Sequence, residues 1–270
     1  MSDTDKNFTE AIPDVYDEFL VPMVFEPYAQ DMARRVASSA PATVLETAAG
    51  SGVVTRALAP LLAKDARYVV TDLNPPMLAR ARRRQAADDR IEWRQADAMA
   101  LPFDDAAFDA VCCQFGIMFL PDKTTGFREA LRVLRGGGRF TFNVWDRIEN
   151  NEFAQSVTAT VARLFPDDPP LFLPRTPHGY HDAKAISRAL TDVGFNRVEW
   201  HGITARSHAD SPHIAAFAFC QGTPLRTELE ARAPGSLDRI TAAVAADIAQ
   251  SFGSGPVSGK TQAHVFVAER

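Results

Sequence analysis

The 270 residues predict a doubly wound α/β chain around a mostly parallel, seven-stranded sheet with an antiparallel last strand. Three observations predict it. From residue 43 onward short apolar runs alternate with helix-length amphipathic segments. The first two runs end in an acid just where the next turn begins. The final segment, Thr261–Glu269, reads as an alternating strand that closes the sheet. Strands separated by helix-length spacers pair in parallel through right-handed crossovers.

Residues 1–40 read as a helical N-terminal arm or cap. Phe19, Met23, Tyr28 and Met32 fall near one face, with breaks at Pro13, Pro22 and Pro27. Thr43–Glu46 is a buried strand and Gly52–Leu62 a helix. Arg67–Asp72 is the second strand. Pro75–Gln85 is a helix with proline in its first turn. Ile91–Gln95 and Phe108–Phe115 are the third and fourth strands. A helix over Thr124–Leu134 is stopped by Gly136-Gly137-Gly138, and Arg139–Trp145 is the fifth strand. Glu152–Phe165 is helical and leads into a proline-rich loop. Ala183–Val193 is a helix capped by Gly194, followed by a strand near Asn196–Ala205. Two amphipathic segments, His213–Cys220 and Leu237–Phe252, precede the closing strand. The domain reading is therefore an arm over 1–40 and a domain over 41–270. That domain carries helical lid insertions at about 147–180 and 208–258, rich in Phe and Leu.

Composition narrows the function. A formal charge of −5 is a poor match to nucleic acid or to an anionic membrane, both of which call for a basic surface. The basic run Arg80, Arg82, Arg83, Arg84 is offset by Asp88 and Asp89 and reads as a solvated helix face. No apolar run approaches the roughly 20 residues of a membrane span. The N-terminal ten residues lack the basic and apolar regions of a secretory signal. Cys112, Cys113 and Cys220 make an odd set with no framework spacing, which suits a reducing compartment and a cytoplasmic address. Monomer and homodimer both remain open.

Chemistry concentrates between the first strand and its helix. Gly50 and Gly52 lack a Cβ, so a ligand can approach the backbone beside the open N–H groups of a helix start. Asp72 follows Gly52 by about 20 residues, the interval at which an acid binds a ribose diol in nucleotide-type folds. Asp97 follows the third strand. Glu46, Asp72 and Asp97 thus gather along the carboxyl edge of the sheet, where open α/β sheets bind ligands. A dinucleotide calls for a third glycine, but Thr55 stands there, and Glu46 would repel a pyrophosphate. Acids favour instead a cationic, phosphate-free nucleoside, S-adenosyl-L-methionine.

The ordered stretches E46-T-A-A-G50-S-G52, T71-D72-L73-N74, D97-A98, D109-A-V-C-C-Q-F-G-I-M-F119 and L134-R-G-G-G-R-F140 resemble the motifs of class I S-adenosylmethionine-dependent methyltransferases. The nearest likeness is the small-molecule type 11 group that includes the quinone-biosynthesis C-methyltransferases. It covers about residues 40–147. Ala48 departs from it, standing where the family has its first glycine. The resemblance implies that Glu46 and the Ala48–Gly52 backbone hold the methionine end, with Asp72 on the ribose and Leu73 and Met77 on the adenine face. It places Asp97 on the adenine amino group with Ala98 beside it, and Gln114 and Phe115 next to the sulfonium. It also offers Tyr16 and Tyr28 as caps over the cofactor; core packing is the other reading of both.

The expected reaction is in-line methyl transfer to a small apolar or aromatic molecule, driven largely by positioning. His178, Tyr180 and His181 are the candidate bases if the acceptor is a hydroxyl. His178-x-x-His181-Asp182 lacks a further ligand, so no metal is expected. His201, His208, His213 and His264 read as strand or surface residues, and Met118 and Phe119 as core or site lining. Where a base-flipping methyltransferase carries an Asn/Asp-Pro-Pro-aromatic tetrapeptide, this chain has Gln114-Phe115-Gly116-Ile117. The competing readings are an NAD(P)-dependent oxidoreductase and a non-catalytic adenosyl-cofactor-binding protein.

Overall fold

The computed structural model describes residues 12–270, so the acidic N-terminal stretch lies outside the described residues. The strands are β1 (Thr43–Glu46), β2 (Arg67–Asp72), β3 (Ile91–Gln95), β4 (Phe108–Gln114), β5 (Leu134–Trp145), β6 (Arg197–Ala209) and β7 (Val257–Glu269). They form a sheet in the order β3-β2-β1-β4-β5-β7-β6. Strands β1 to β5 pair in parallel. Strand β7 runs against β5: Arg270 N–H donates to Gly138, while Asp146 N–H donates to Gln262. The order reverses between β1 and β4, so their carboxyl ends flank the switch point of the sheet.

The helices are α1 (Ile12–Val15), α2 (Glu26–Ala37), α3 (Val53–Leu58), α4 (Pro75–Arg84), α5 (Lys123–Val133), α6 (Glu152–Leu164), α7 (Phe172–Arg175), α8 (Ala183–Val193), α9 (Pro212–Gln221), α10 (Leu225–Arg232) and α11 (Leu237–Phe252). The chain divides into two compact units. The sheet unit comprises residues 27–144, 181–203 and 263–270. On one face of its sheet, Met32 and Val36 of α2 and Leu58 of α3 bury against Val44, Val70 and Cys112. On the other, Phe127 of α5 packs on Phe140 and Phe142, and Phe142 stacks on Phe266. Helix α5 starts at Asp122, whose carboxylate accepts from Thr125 N–H at 3.0 Å; α8 starts at Asp182 in the same manner.

Among the described residues, the second unit comprises 12–26, 145–180 and 204–262. Helices α6, α9 and α11 make its core, with Phe153, Val157, Ala215, Phe219, Val244 and Ile248 buried. Asp247 of α11 accepts from Thr160 of α6 and pairs with Arg163. Glu228 of α10 accepts from the Leu171 N–H at 2.8 Å and pairs with Arg175, tying α7 in place.

Three expectations about elements change. The N-terminal arm does not break at its prolines. Tyr16–Phe25 is π-helical with an exposed Pro22 inside it, and Glu26 N–H reaches back five residues to Val21. The wider turn accommodates a residue that cannot donate and would collide in an α-helix. The arm also divides at 26/27 between the two units. Gly136–Gly138 lie within β5 rather than before it. Two steps along β4 match five along β5, and the surplus forms a bulge with Gly137 at φ +78°. Finally, β6 and β7 are longer than expected, and α7 and α10 were not anticipated.

Candidate functional site

Strand β1 delivers the chain to a tight turn at the carboxyl edge. Thr47 N–H donates to Cys112 of β4 and Ala49 N–H to Thr71 of β2, which fixes the turn to both neighbouring strands. Three of its residues have left-handed backbone: Ala48 (φ +51°), Gly50 (+57°) and Gly52 (+81°). Alanine therefore occupies a conformation that favours glycine, at the position where the family motif has one. Gly52 is needed for space as well, because a Cβ there would lie 2.9 Å from that of Ala81 on α4. A Cβ on Gly50 would meet only Met77 Cε, at 3.6 Å. The Gly50 backbone is thus open to a bound group, with Met77 beneath it.

Asp72 ends β2 beside this turn. One carboxylate oxygen accepts from Gly50 N–H at 2.8 Å, and the other from Asn74 N–H at 2.7 Å. Each oxygen keeps a second lone pair, enough to accept from two hydroxyls. Burial raises its pKa, against the pull of the Asn74 and Gly50 N–H groups. Leu73, next in the chain, is 44% exposed, unusual for a leucine at a strand end. Asp97 is half-buried and accepts from Met99 N–H at 2.8 Å, and the half-buried Ala98 follows it. Ala96 N–H donates to the Asp72 carbonyl, which ties the β3 turn to the end of β2.

Glu46, expected at the methionine end, is the last residue of β1 and carries two side-chain partners of its own. Its carboxyl is buried and accepts from Thr55 Oγ1 at 2.7 Å and from the Tyr68 hydroxyl. Burial lifts its pKa to about 7; the Tyr68 and Thr55 hydroxyls and the Arg56 charge oppose the rise, and Asp72 adds to it. The raised pKa weakens the charge of Glu46 near neutrality, so the electrostatic preference for a cation leans less on it than expected.

Strand β4 ends at Gln114, in register with Asn143 of β5. Phe115 then turns at φ +50°, its N–H donating to Asn143 Oδ1 at 2.8 Å and its ring meeting Tyr28 edge-on at 5.3 Å. Gly116 brings this turn against the glycine turn of β1, since a Cβ there would come within 2.5 Å of Ala48 Cβ. Ile117 and Met118 follow as a buried apolar turn. Burial holds the thiols protonated, Cys113 at about 11 and Cys112 well above its ordinary range. The roles of Tyr68, Gly116 and Asn143 went unread in the sequence, because each acts through a partner far along the chain.

All eleven expected cofactor residues lie in the sheet unit. His178 and Tyr180 lie in the second unit and His181 in the first. His178 is buried, with Nδ1 2.8 Å from the Asp146 carbonyl and its ring on Trp145. A carbonyl only accepts, so Nδ1 carries the hydrogen and Nε2 is the basic nitrogen. Burial pushes the Tyr180 phenol up to about 12, so it keeps its proton near neutrality. Among the described residues no group of three or more His, Cys, Asp or Glu is placed to hold a metal ion, and no helix is long and apolar enough to cross a membrane.

Comparison with known proteins places this geometry. A family model described as the ubiE/COQ5 methyltransferase family matches residues 14–214. A demethylmenaquinone methyltransferase of Clavibacter sepedonicus is 34% identical over 181 residues, which span 64% of this chain and 73% of that one. A ubiquinone/menaquinone biosynthesis C-methyltransferase UbiE of Klebsiella pneumoniae is 28% identical over 175 residues, 60% of this chain and 70% of that one. Among solved structures, the YcgJ protein of Bacillus subtilis shares the fold with a TM-score of 0.56 at 16% identity, over 89% of this chain and 98% of that one. With three quarters of its length matched by one family and the glycine turn, Asp72 and the β4 turn in place, the chain belongs to the ubiE/COQ5 methyltransferase family and is an S-adenosylmethionine-dependent methyltransferase.

Proposed function

We propose that the chain methylates a ring carbon of a small, apolar, quinol-type molecule. The likeness to the demethylmenaquinone methyltransferase of Clavibacter sepedonicus carries this reading of the acceptor. The buried apolar turn Ile117–Met118 after β4 supports it, since it offers an acceptor no competing charge.

The residues fit the cofactor. The open backbone at Gly50, the spare lone pairs of Asp72 and the exposed Leu73 suit an adenosine, its sugar and its base. Asp72 would hold the ribose hydroxyls, and Leu73 and Met77 the adenine face. Asp97 would hold the adenine amino group, with Ala98 beside it. The Ala48–Gly52 backbone with Glu46 would hold the methionine end, and Gln114 and Phe115 would flank the sulfonium. When bound, S-adenosylmethionine would supply an electrophilic methyl group: the S–C bond breaks with its pair left on sulfur, a C–C bond forms to the ring carbon, and that carbon's hydrogen is lost as a proton. The protein's own part is to orient donor and acceptor and keep water out. Of the three candidate bases, His178 is the one whose basic nitrogen is set by a backbone partner. Thr55 argues against a dinucleotide, because its side chain fills the third glycine's place and is bonded to Glu46. Three buried thiols suit a reducing cytoplasm.

Calorimetric titration with S-adenosylhomocysteine and with NADH tests the cofactor. Binding of the first alone is expected, weakened about 100-fold in Asp72→Ala by the loss of two hydrogen bonds to a charged group. Methyl transfer to a short-chain 1,4-naphthoquinol is expected in the same preparation. Binding without transfer to any quinol would overturn the acceptor, and no binding would overturn the whole reading.

A further inference from the structure

We infer that Tyr68, four residues inside the end of β2, is a positioning residue that works through Glu46 and makes cofactor binding proton-linked. The inference rests on the cofactor site proposed above.

The geometry is a cluster of buried groups at the start of the glycine turn, in which one oxygen of the Glu46 carboxyl takes both hydroxyl bonds. Glu46 is the last residue of β1, immediately before that turn. Two hydroxyls donate to one and the same oxygen of its carboxyl: Thr55 from α3 and Tyr68 from β2. Its backbone carbonyl accepts from Thr71 Oγ1 at 2.8 Å, so the main chain is pinned as well. Tyr68 is 1% exposed and Thr55 0%, and neither can trade its bond for water. The charged and titratable groups facing Glu46 come from three elements. Arg56 on α3 favours its ionised form. Asp72 on β2 and the two thiols of β4, Cys112 and Cys113, are the acids around it. Phenol and threonine hydroxyls donate better to a carboxylate than to a neutral acid. Burial works the other way and is the larger influence, raising the pKa to about 7.

A carboxylate attracts the ammonium of a bound aminoacyl tail, whereas a neutral acid only hydrogen-bonds to it. Binding of such a tail therefore favours loss of a proton from Glu46. Below the midpoint, affinity should rise by up to 10-fold per pH unit, then level off. Removing the Tyr68 hydroxyl takes away one donor to the ionised form, so the same climb should occur at higher pH.

The test is isothermal titration with S-adenosylhomocysteine between pH 6 and 8.5, in two buffers of different ionisation enthalpy to count protons released. Wild type should release a fraction of a proton below pH 7 and bind more tightly as pH rises. Tyr68→Phe should bind about 10-fold more weakly at pH 7, the worth of one such hydrogen bond, and approach wild type at the alkaline end. Glu46→Gln should bind with no pH dependence. If Tyr68→Phe fails to fold, Thr55→Val removes the other donor and should shift the curve in the same direction. A wild-type affinity flat with pH, or a Tyr68→Phe defect equal at every pH, overturns the inference. No binding by wild type at any pH overturns the cofactor site instead.

Discussion

Ala48 and Gly116 show how little room the site leaves for a single carbon. Ala48 is left-handed, which costs a residue with a Cβ about 1–2 kcal/mol. A methyl on Gly116 would sit 2.5 Å from Ala48 Cβ and 2.7 Å from Cys113 Sγ. Gly116→Ala should therefore destabilise the protein by about 1–3 kcal/mol through overpacking. Ala48→Gly removes one side of the clash, so the double variant should recover part of that loss. Urea midpoints of the two single variants and the double form the cycle, and strict additivity would show that the two turns do not press on each other. The positions of the strand-end acids and of the turn glycines were legible in the sequence because each sits at the boundary of an element. The Ala48–Gly116 contact, the Tyr68–Glu46 bond and the Asn143 amide on Phe115 were not, because nothing near any of these residues announces a partner that the sheet alone brings close.

At the scale of elements, legibility follows burial. Strands β1 and β2 begin and end where the sequence places their buried runs, since a strand in a parallel sheet stops where its turn chemistry starts; the more exposed β3 was legible from its alternation instead. The glycines of β5 defeated that logic. Three consecutive glycines signal a turn, whereas in the structure Arg270 exchanges hydrogen bonds with Gly137 and Gly138 and ties them into the sheet. The π-helical Tyr16–Phe25 was hidden in the same way, because its prolines carry a local veto that a wider helix evades. Helix α10 lacks a strong apolar stripe and is recognised by Glu228 reaching α7 instead. A tertiary cross-link also governs the start of α6. Asn151 donates to the Asp146, Arg147 and Gln262 carbonyls and accepts from Thr261 Oγ1 and Gln262 N–H, joining the helix entrance to β7. Truncating it strands several buried polar groups at once. Asn151→Ala should cost about 2–4 kcal/mol, and hydrogen exchange should show the Thr261–Gln262 amides losing protection first. Retained protection there would mean that β7 needs no such brace.

Across the whole molecule, two populations of acids set how stability responds to pH, and they act in opposite directions. Asp109, held down chiefly by the Arg135 and Thr43 hydrogen bonds against burial, and Glu129, held down by Arg132, have lowered pKa values. Their stabilisation is present above their unfolded values and is lost as pH falls through the folded ones. Glu46 is the reverse case. Its folded pKa of about 7 lies above the ordinary 4.5, so its contribution is complete below pH 4.5 and is lost as pH rises through 7. The difference corresponds to about 3 kcal/mol, on the order of a third of a typical domain's stability. Asp72, raised in the same direction, adds to the loss. The urea midpoint should therefore be highest near pH 5 and fall towards pH 8. In Glu46→Gln, which holds the side chain in a neutral, hydrogen-bonded form, most of that alkaline decline should disappear. A parallel decline in both proteins would show that the buried carboxyl is not its source. The ionised state that strains the empty protein is also the one to which a cationic tail is drawn, so saturating S-adenosylhomocysteine should raise the wild-type midpoint more at pH 8 than at pH 6, and should raise that of Glu46→Gln equally at both.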